Sequence, residues 1–261
     1  MKLLTINLHA LPPAWGQAQA EAFADTLAKE RPDVVALQEL YLPVEEKGDP
    51  LSPLLAALDR RGVHYHGLFR PVKIGYERYR EGLGILSVSP ITSLYFYPVS
   101  ETTDDYNWKK REILAVSVEQ YPRELFCSVH LGRWDDPDEP FAAEWERTMA
   151  HLAPLQQKGR VWLMGDFNNP AHREGEGYER IIADGWQDCF LAAPIRRGNA
   201  TVLREIDGWE GDKSPKRIDF IFCDHPADIT HAKTVFDGEE YPILSDHCGV
   251  FVEVSPEEGI Q

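Results

Sequence analysis

With 261 residues, 43% hydrophobic and 27% charged, the chain has ample material for a packed core and is not a disordered or fibrous sequence. Its 43 acidic side chains outnumber 27 basic ones, a formal charge of -16 that sets most of the surface against a polyanion. This counts against a protein that grips long nucleic acid by charge, and no stretch is apolar for long enough to span a bilayer.

In chain order, residues 2–7 read as a strand. A turn-rich stretch with Pro12, Pro13 and Gly16 then leads to a helix over 17–30, where Ala20, Phe23, Ala24 and Leu27 recur at helical spacing. Arg31-Pro32-Asp33 breaks that helix and Val34–Gln38 is a buried strand, so the opening is β-α-β. A helix is predicted at 51–61 and a strand near 63–69. From Gly82 the texture changes to successive strands at 82–88, 91–98, 112–119 and 124–130, punctuated by Pro90 and Pro122, which suggests antiparallel pairing.

A helix at 141–157 follows, with Phe141, Trp145, Met149 and Leu152 on one face. Then come a strand at 160–165, a helix near 176–184, and strands at 217–223, 228–236 and 249–254. This succession predicts an α/β fold: a four-layer α/β/β/α sandwich with two packed mixed, mainly antiparallel sheets and outer helices. No repeat, low-complexity tract or linker interrupts it, and residues 1–261 are expected to form one domain.

Met1-Lys2-Leu3-Leu4-Thr5 runs into the first strand pattern without an apolar signal segment. Cys127, Cys189, Cys223 and Cys248 are widely spaced, mostly inside apolar runs, and are expected to be buried free thiols rather than disulfides or a zinc site. A cytoplasmic, reducing location is the expectation.

Several apolar runs end on residues suited to a cation or a phosphate. Val34-Val35-Ala36-Leu37-Gln38 leads to Glu39, Leu3-Leu4-Thr5-Ile6 to Asn7, and Val161-Trp162-Leu163-Met164 to Gly165-Asp166-Phe167-Asn168. Buried strands seldom end on an unpaired carboxylate, because desolvating one is costly. Asp166 and Asn168 sit two apart and point the same way. Ser245-Asp246-His247 adds a carboxylate beside an imidazole. Each stretch alone also fits a turn or a cap. Together they point to metal-assisted phosphoester hydrolysis, and His9 is to be watched because alternation puts it on the side of Asn7.

These stretches, with Arg217-Ile218-Asp219-Phe220-Ile221-Phe222, resemble in order the hallmark motifs of the endonuclease/exonuclease/phosphatase superfamily, from Lys2 to Val254. The resemblance implies a deoxyribonuclease-like fold and a set of roles. Glu39 would coordinate magnesium, or manganese in its place, with Asn7 beside it and Asp246 as a further metal-side ligand. Asp166 would orient or deprotonate water and Asn168 would help hold the phosphate. His247 would contact a phosphoryl oxygen, paired with Asp219. His130 and Glu81 match a second His–carboxylate pair, and Arg111 matches a basic residue near the phosphate. A carboxylate behind each imidazole would keep both cationic near neutral pH.

Nuclease members place an Arg shortly after the metal-binding Glu, whereas Leu40 and Tyr41 follow Glu39 here. The segments around Tyr76 and around Trp108-Lys109 resemble instead a bacterial branch that includes maltose-6'-phosphate phosphatase. Aromatic stacking with a basic residue on phosphate suits a phosphorylated carbohydrate. The expected partner is therefore a small phosphorylated metabolite, not nucleic acid or membrane. The expected activity is phosphomonoester hydrolysis; the alternatives are a phosphodiesterase (nuclease or sphingomyelinase-like) and a catalytically silent binding module.

Overall fold

The computed structural model describes residues 1–12 and 15–256; Pro13 of the expected turn lies outside these residues. The first half comprises β1 (Lys2–Asn7), α1 (Gln17–Glu30), β2 (Val34–Pro43), α2 (Ser52–Asp59), β3 (His66–Gly75), β4 (Tyr79–Ser87), β5 (Ile91–Pro98), β6 (Glu112–Val118) and β7 (Tyr121–His130). The second comprises α3 (Phe141–Gln156), β8 (Arg160–Asp166), α4 (Gly177–Ala183), β9 (Gln187–Asp188), α5 (Cys189–Ala192), β10 (Ile195–Arg197), β11 (Asp219–Cys223), β12 (Ile229–Val235) and β13 (Gly249–Val254). Sequence patterning misses β9, α5 and β10, which are too short to carry a period.

The strands form two sheets, ordered β10-β12-β13-β1-β2-β4-β3 and β5-β6-β7-β8-β11-β9. Pairing is antiparallel except for β1–β2, β7–β8 and β10–β12. Burial sorts the layers, because successive side chains along each strand point to opposite faces. Leu3, Val34, Ala36, Leu83, Ile85, Leu114, Phe126, Trp162, Met164 and Val252 meet between the sheets. Leu4, Ile6, Val35 and Leu37 pack against Phe23, Ala24 and Leu27 of α1 and Leu54 and Leu58 of α2. Cys127, Val129, Leu163, Phe220 and Phe222 pack against Phe141, Trp145 and Leu152 of α3 and Ile181 of α4. The result is the expected four-layer α/β/β/α sandwich.

The two central parallel pairs position the functional rim. β1 and β2 are joined through α1, and β7 and β8 through α3, so each pair ends together at the C-terminal side. Register sets Asn7 opposite Gln38 and His130 opposite Asp166. Antiparallel neighbours start where these strands finish: Asp219 of β11 lies opposite Asp166, and β4 carries Glu81 opposite Tyr41.

Toward this rim the layer between the sheets turns polar. Gln38 Nε2 donates to Ser128 Oγ at 3.0 Å, Ser128 Oγ to Leu37 O at 2.9 Å, and Thr5 Oγ1 to Gln38 Oε1 at 3.3 Å. This closed network lies under the site and ties one sheet to the other. Gly165 is required beside it: its φ is 152°, and a Cβ there would run into Val129 O of the neighbouring strand.

All four cysteines are buried and free; Cys189 Sγ and Cys223 Sγ are 3.7 Å apart without a bond. Among the described residues, no helix is long and apolar enough to cross a membrane.

Candidate active site

A cleft of about 650 Å³ opens at this rim. Glu39 reaches it through a backbone irregularity. Val35 and Leu37 face the helices and Gln38 faces the other sheet, so simple alternation would turn Glu39 outward. The β2–β4 register instead shifts between Leu37 and Leu40, and Glu39 has φ 51°. This bulge re-aims its carboxylate into the cleft. Of the seven described non-glycine residues with positive φ, His9, Glu39, Tyr76, Glu77 and Asn168 line the cleft. Each such conformation costs roughly 1–3 kcal/mol, and that concentration marks a functional site.

Both oxygens of Glu39 are engaged. Asn7 Nδ2 donates to Oε1 at 2.8 Å, while His9 Nδ1 and Tyr41 Oη donate to Oε2, each at 3.0 Å. Burial would raise the Glu39 pKa, but the His9 hydrogen bond holds it well below the ordinary carboxylate range. The same hydrogen bond raises His9 to about 9.

Asn7 also donates to Asp166 Oδ2 at 3.1 Å, and its own Oδ1 accepts the His9 backbone N–H at 3.1 Å. Its amide thus orients two carboxylates, and a second lone pair on Oδ1 is left for a further partner.

Asp166 is 2% exposed, and burial, reinforced by the Asp219 charge, pushes its pKa up to about 7. The Asn168 backbone N–H donates to Asp166 Oδ1 at 2.8 Å, the Asx turn that the Asp-Phe-Asn spacing permits. His247 Nδ1 lies 2.8 Å from Asp219 Oδ2. Burial opposes the charged imidazole, but Asp219 outweighs it and raises His247 to about 10. Asp219 is itself fully buried, sitting behind His247 rather than on the cleft wall.

The second expected His–carboxylate pair is not formed. Glu81 is bound to Lys73 Nζ at 3.0 Å, its cross-strand partner on β3. The carboxylates nearest His130 Nε2 are Asp166 at 3.8 Å and Glu39 at 3.9 Å. Burial, with Arg111 close by, pushes the His130 pKa well below its usual value. One cationic and one neutral imidazole therefore replace the two cationic ones expected.

Arg111 is 6% exposed and has no carboxylate within 4.0 Å among the described residues. Nη1 donates to Trp108 O at 2.7 Å and Lys110 O at 3.2 Å, while Nε has no partner. Lys73, which sequence reasoning missed, donates to the same Trp108 carbonyl at 2.9 Å.

Tyr76 and Trp108 stand on the rim, 49% and 62% exposed. Lys109 is not free for phosphate, because Asp136 and Asp138 each hold its Nζ at 2.7 Å. Asp246 borders the cleft and accepts from Ser245 Oγ at 3.0 Å, but it stands outside both groups of candidate metal ligands.

Those groups are Glu39, His130 and Asp166, and Asp166, Asp219 and His247, with ligand atoms within 4.8 Å of one another. Two buried carboxylates brought together are relieved by a proton or by a cation between them, and carboxylate oxygens with a neutral imidazole suit a divalent ion. Sequence reasoning flagged His9 by alternation; Tyr41 and Lys73 follow no alternation or motif signal that separates them from core residues.

A closed carboxylate cluster, a charged imidazole and an unpaired guanidinium around one cleft define a phosphoesterase site. The chain belongs to the endonuclease/exonuclease/phosphatase family, whose model matches residues 4–247. No curated protein matches it. Among solved structures it is similar to an endonuclease/exonuclease/phosphatase family protein from Leptotrichia buccalis, with TM-score 0.88 and 25% identity over 98% of this chain and 100% of that one. It is also similar to a Bacteroides thetaiotaomicron mannosyl-6-phosphatase, with TM-score 0.71 and 17% identity over 98% and 100% of the two chains. A third likeness is to truncated Caenorhabditis elegans TDP2, with TM-score 0.66 and 17% identity over 98% and 97%.

Proposed function

We infer that this chain is a magnesium-dependent phosphomonoesterase acting on a small phosphorylated metabolite, with a sugar phosphate as the substrate class and manganese as an alternative ion. The observation that carries this is Arg111: a buried guanidinium without a carboxylate partner, in a cleft otherwise rich in carboxylates. An unpaired buried charge is strongly unfavourable, and a phosphate dianion would satisfy it.

Glu39, Asp166 and His130 would hold the cation, which when bound neutralises charge at the phosphoryl oxygens. Asp166, its Oδ1 turned by the Asn168 backbone N–H, would orient the attacking water and accept its proton. His247, kept cationic by Asp219, would donate to a phosphoryl oxygen, and Asn168 would hold another. Tyr76 and Trp108 would meet the sugar faces. The formal charge of -16 supports a small substrate over a polynucleotide. Four free buried thiols support a reducing compartment such as the cytoplasm.

Phosphate release from a panel of sugar phosphates with magnesium, run beside nicking of supercoiled plasmid, tests the assignment. Turnover of one or more monoesters is expected. Dominant nicking with no monoester turnover would overturn it in favour of a phosphodiesterase.

A further inference from the structure

Asn168 is gripped at both ends of its amide. Its Nδ2 donates to Leu131 O at 3.0 Å, and its Oδ1 accepts from Trp209 Nε1 at 3.2 Å. The oxygen and nitrogen of an amide are nearly identical in shape, so shape alone does not decide which way it faces. An indole N–H donates and never accepts. Trp209 therefore admits the oxygen and rejects the NH2 group. That leaves one N–H on Leu131 and the other available to an acceptor in the cleft, which Asn168 lines.

Trp209 is itself well fixed. It is 4% exposed and packs with Val202, Ile206 and Ile218 in a small cluster apart from the main core. Arg133, Arg173 and Lys216 approach its ring, with charges 4.7, 5.0 and 5.4 Å from the centroid. Arg133 Nη1 also donates to Gly208 O at 2.6 Å, and Trp209 N to Ile206 O at 3.1 Å. The same turn carries Asp207 and Glu210 on the cleft wall.

We propose that Trp209 is a positioning residue. Its indole N–H, opposite the Leu131 carbonyl that accepts from Nδ2, holds the Asn168 amide in place from the oxygen side and ties it to the rim turn at 206–210. Trp209 acts through Asn168 alone. The turn that borders the cleft mouth thus also controls a donor deep inside it.

Two measurements decide this, and only the second rests on the phosphomonoesterase assignment. In amide and indole NMR spectra of the 15N-labelled full chain without metal, the Trp209 indole signal is identified by its loss in Trp209→Phe. Asn168→Ala should move that signal upfield as its acceptor disappears; an unmoved signal overturns the proposal.

With p-nitrophenyl phosphate and magnesium, Trp209→Phe, which keeps the aromatic ring but lacks the N–H, should lower kcat roughly ten-fold with KM little changed. The double variant Asn168→Ala/Trp209→Phe should be no slower than Asn168→Ala. Losses that multiply, or an unimpaired Trp209→Phe, overturn the proposal. A wild-type protein that fails to turn over this probe and every monoester in the panel refutes the phosphomonoesterase assignment instead. The indole signal then decides the role of Trp209.

Discussion

Glu144 makes the stability of the fold fall as pH rises. It lies on α3, fully buried, with Oε2 accepting the Gly132 backbone N–H at 2.6 Å and Oε1 without a partner. Burial raises its pKa from 4.5 to about 7, against a smaller opposing pull from Arg111. Below pH 4.5 the folded and unfolded chains both hold this proton. Between pH 4.5 and about 7 the folded chain keeps a proton that the unfolded chain has released, so stability falls as pH rises, by up to ~1.4 kcal/mol per pH unit. By pH 8 the accumulated loss is about 3 kcal/mol, an upper figure because neighbouring groups relax. Glu144→Gln keeps an acceptor for Gly132 and never ionises. Urea unfolding of the metal-free chain from pH 4 to 8 should show the two proteins close at pH 4 and the variant more stable by roughly 1–3 kcal/mol at pH 8. Curves that stay parallel across that range would refute the assignment of a raised carboxyl pKa to Glu144.

Other substitutions separate function from stability. Arg111→Met should lower kcat/KM by ~10²–10³ while leaving the urea midpoint unchanged or raised, since it removes a buried unpaired charge; a loss of stability matching the loss of activity would make Arg111 a structural residue. Glu39→Gln should weaken magnesium activation by more than the ~10–100-fold expected for an outer partner, and exhaustive chelation should abolish wild-type turnover. Activity that survives chelation removes the metal role of Glu39. Gly165→Ala should destabilise the fold by roughly 2–4 kcal/mol, because alanine has neither the φ nor the space; an unchanged unfolding midpoint would refute the close approach of β8 to β7.

The sandwich is legible because β1, β2, β7 and β8 are short, nearly continuous apolar runs, as strands buried on both faces must be, and α1 and α3 carry helical periodicity. Asn7, His130 and Asp166 could be placed because alternation from the core carries straight into them. Glu39 could not be placed by alternation, since a bulge inverts its direction; its motif was visible but its geometry was not. The Lys73–Glu81 pair was hidden because cross-strand register at β3–β4 also contains a bulge, between Pro71 and Lys73. Without that register, nothing in the sequence says that Glu81 meets a lysine instead of His130. Trp209 lies in a turn-rich stretch with no period at all, where a buried aromatic leaves no signal of its contacts.

These misses share a cause with the site itself. The regular parts of the strands set a stable frame, and their periodicity is what a sequence displays. The chemistry begins where that periodicity stops. His9, Glu39 and Asn168 adopt left-handed backbone conformations at or beyond the places where β1, β2 and β8 leave regular pairing. Such conformations persist because the strands behind them are locked between two sheets and tied by the Gln38–Ser128–Thr5 network. Loosening that network should therefore disturb Glu39 and Asp166 before it disturbs the sandwich, because the apolar layer below holds the sheets together without it.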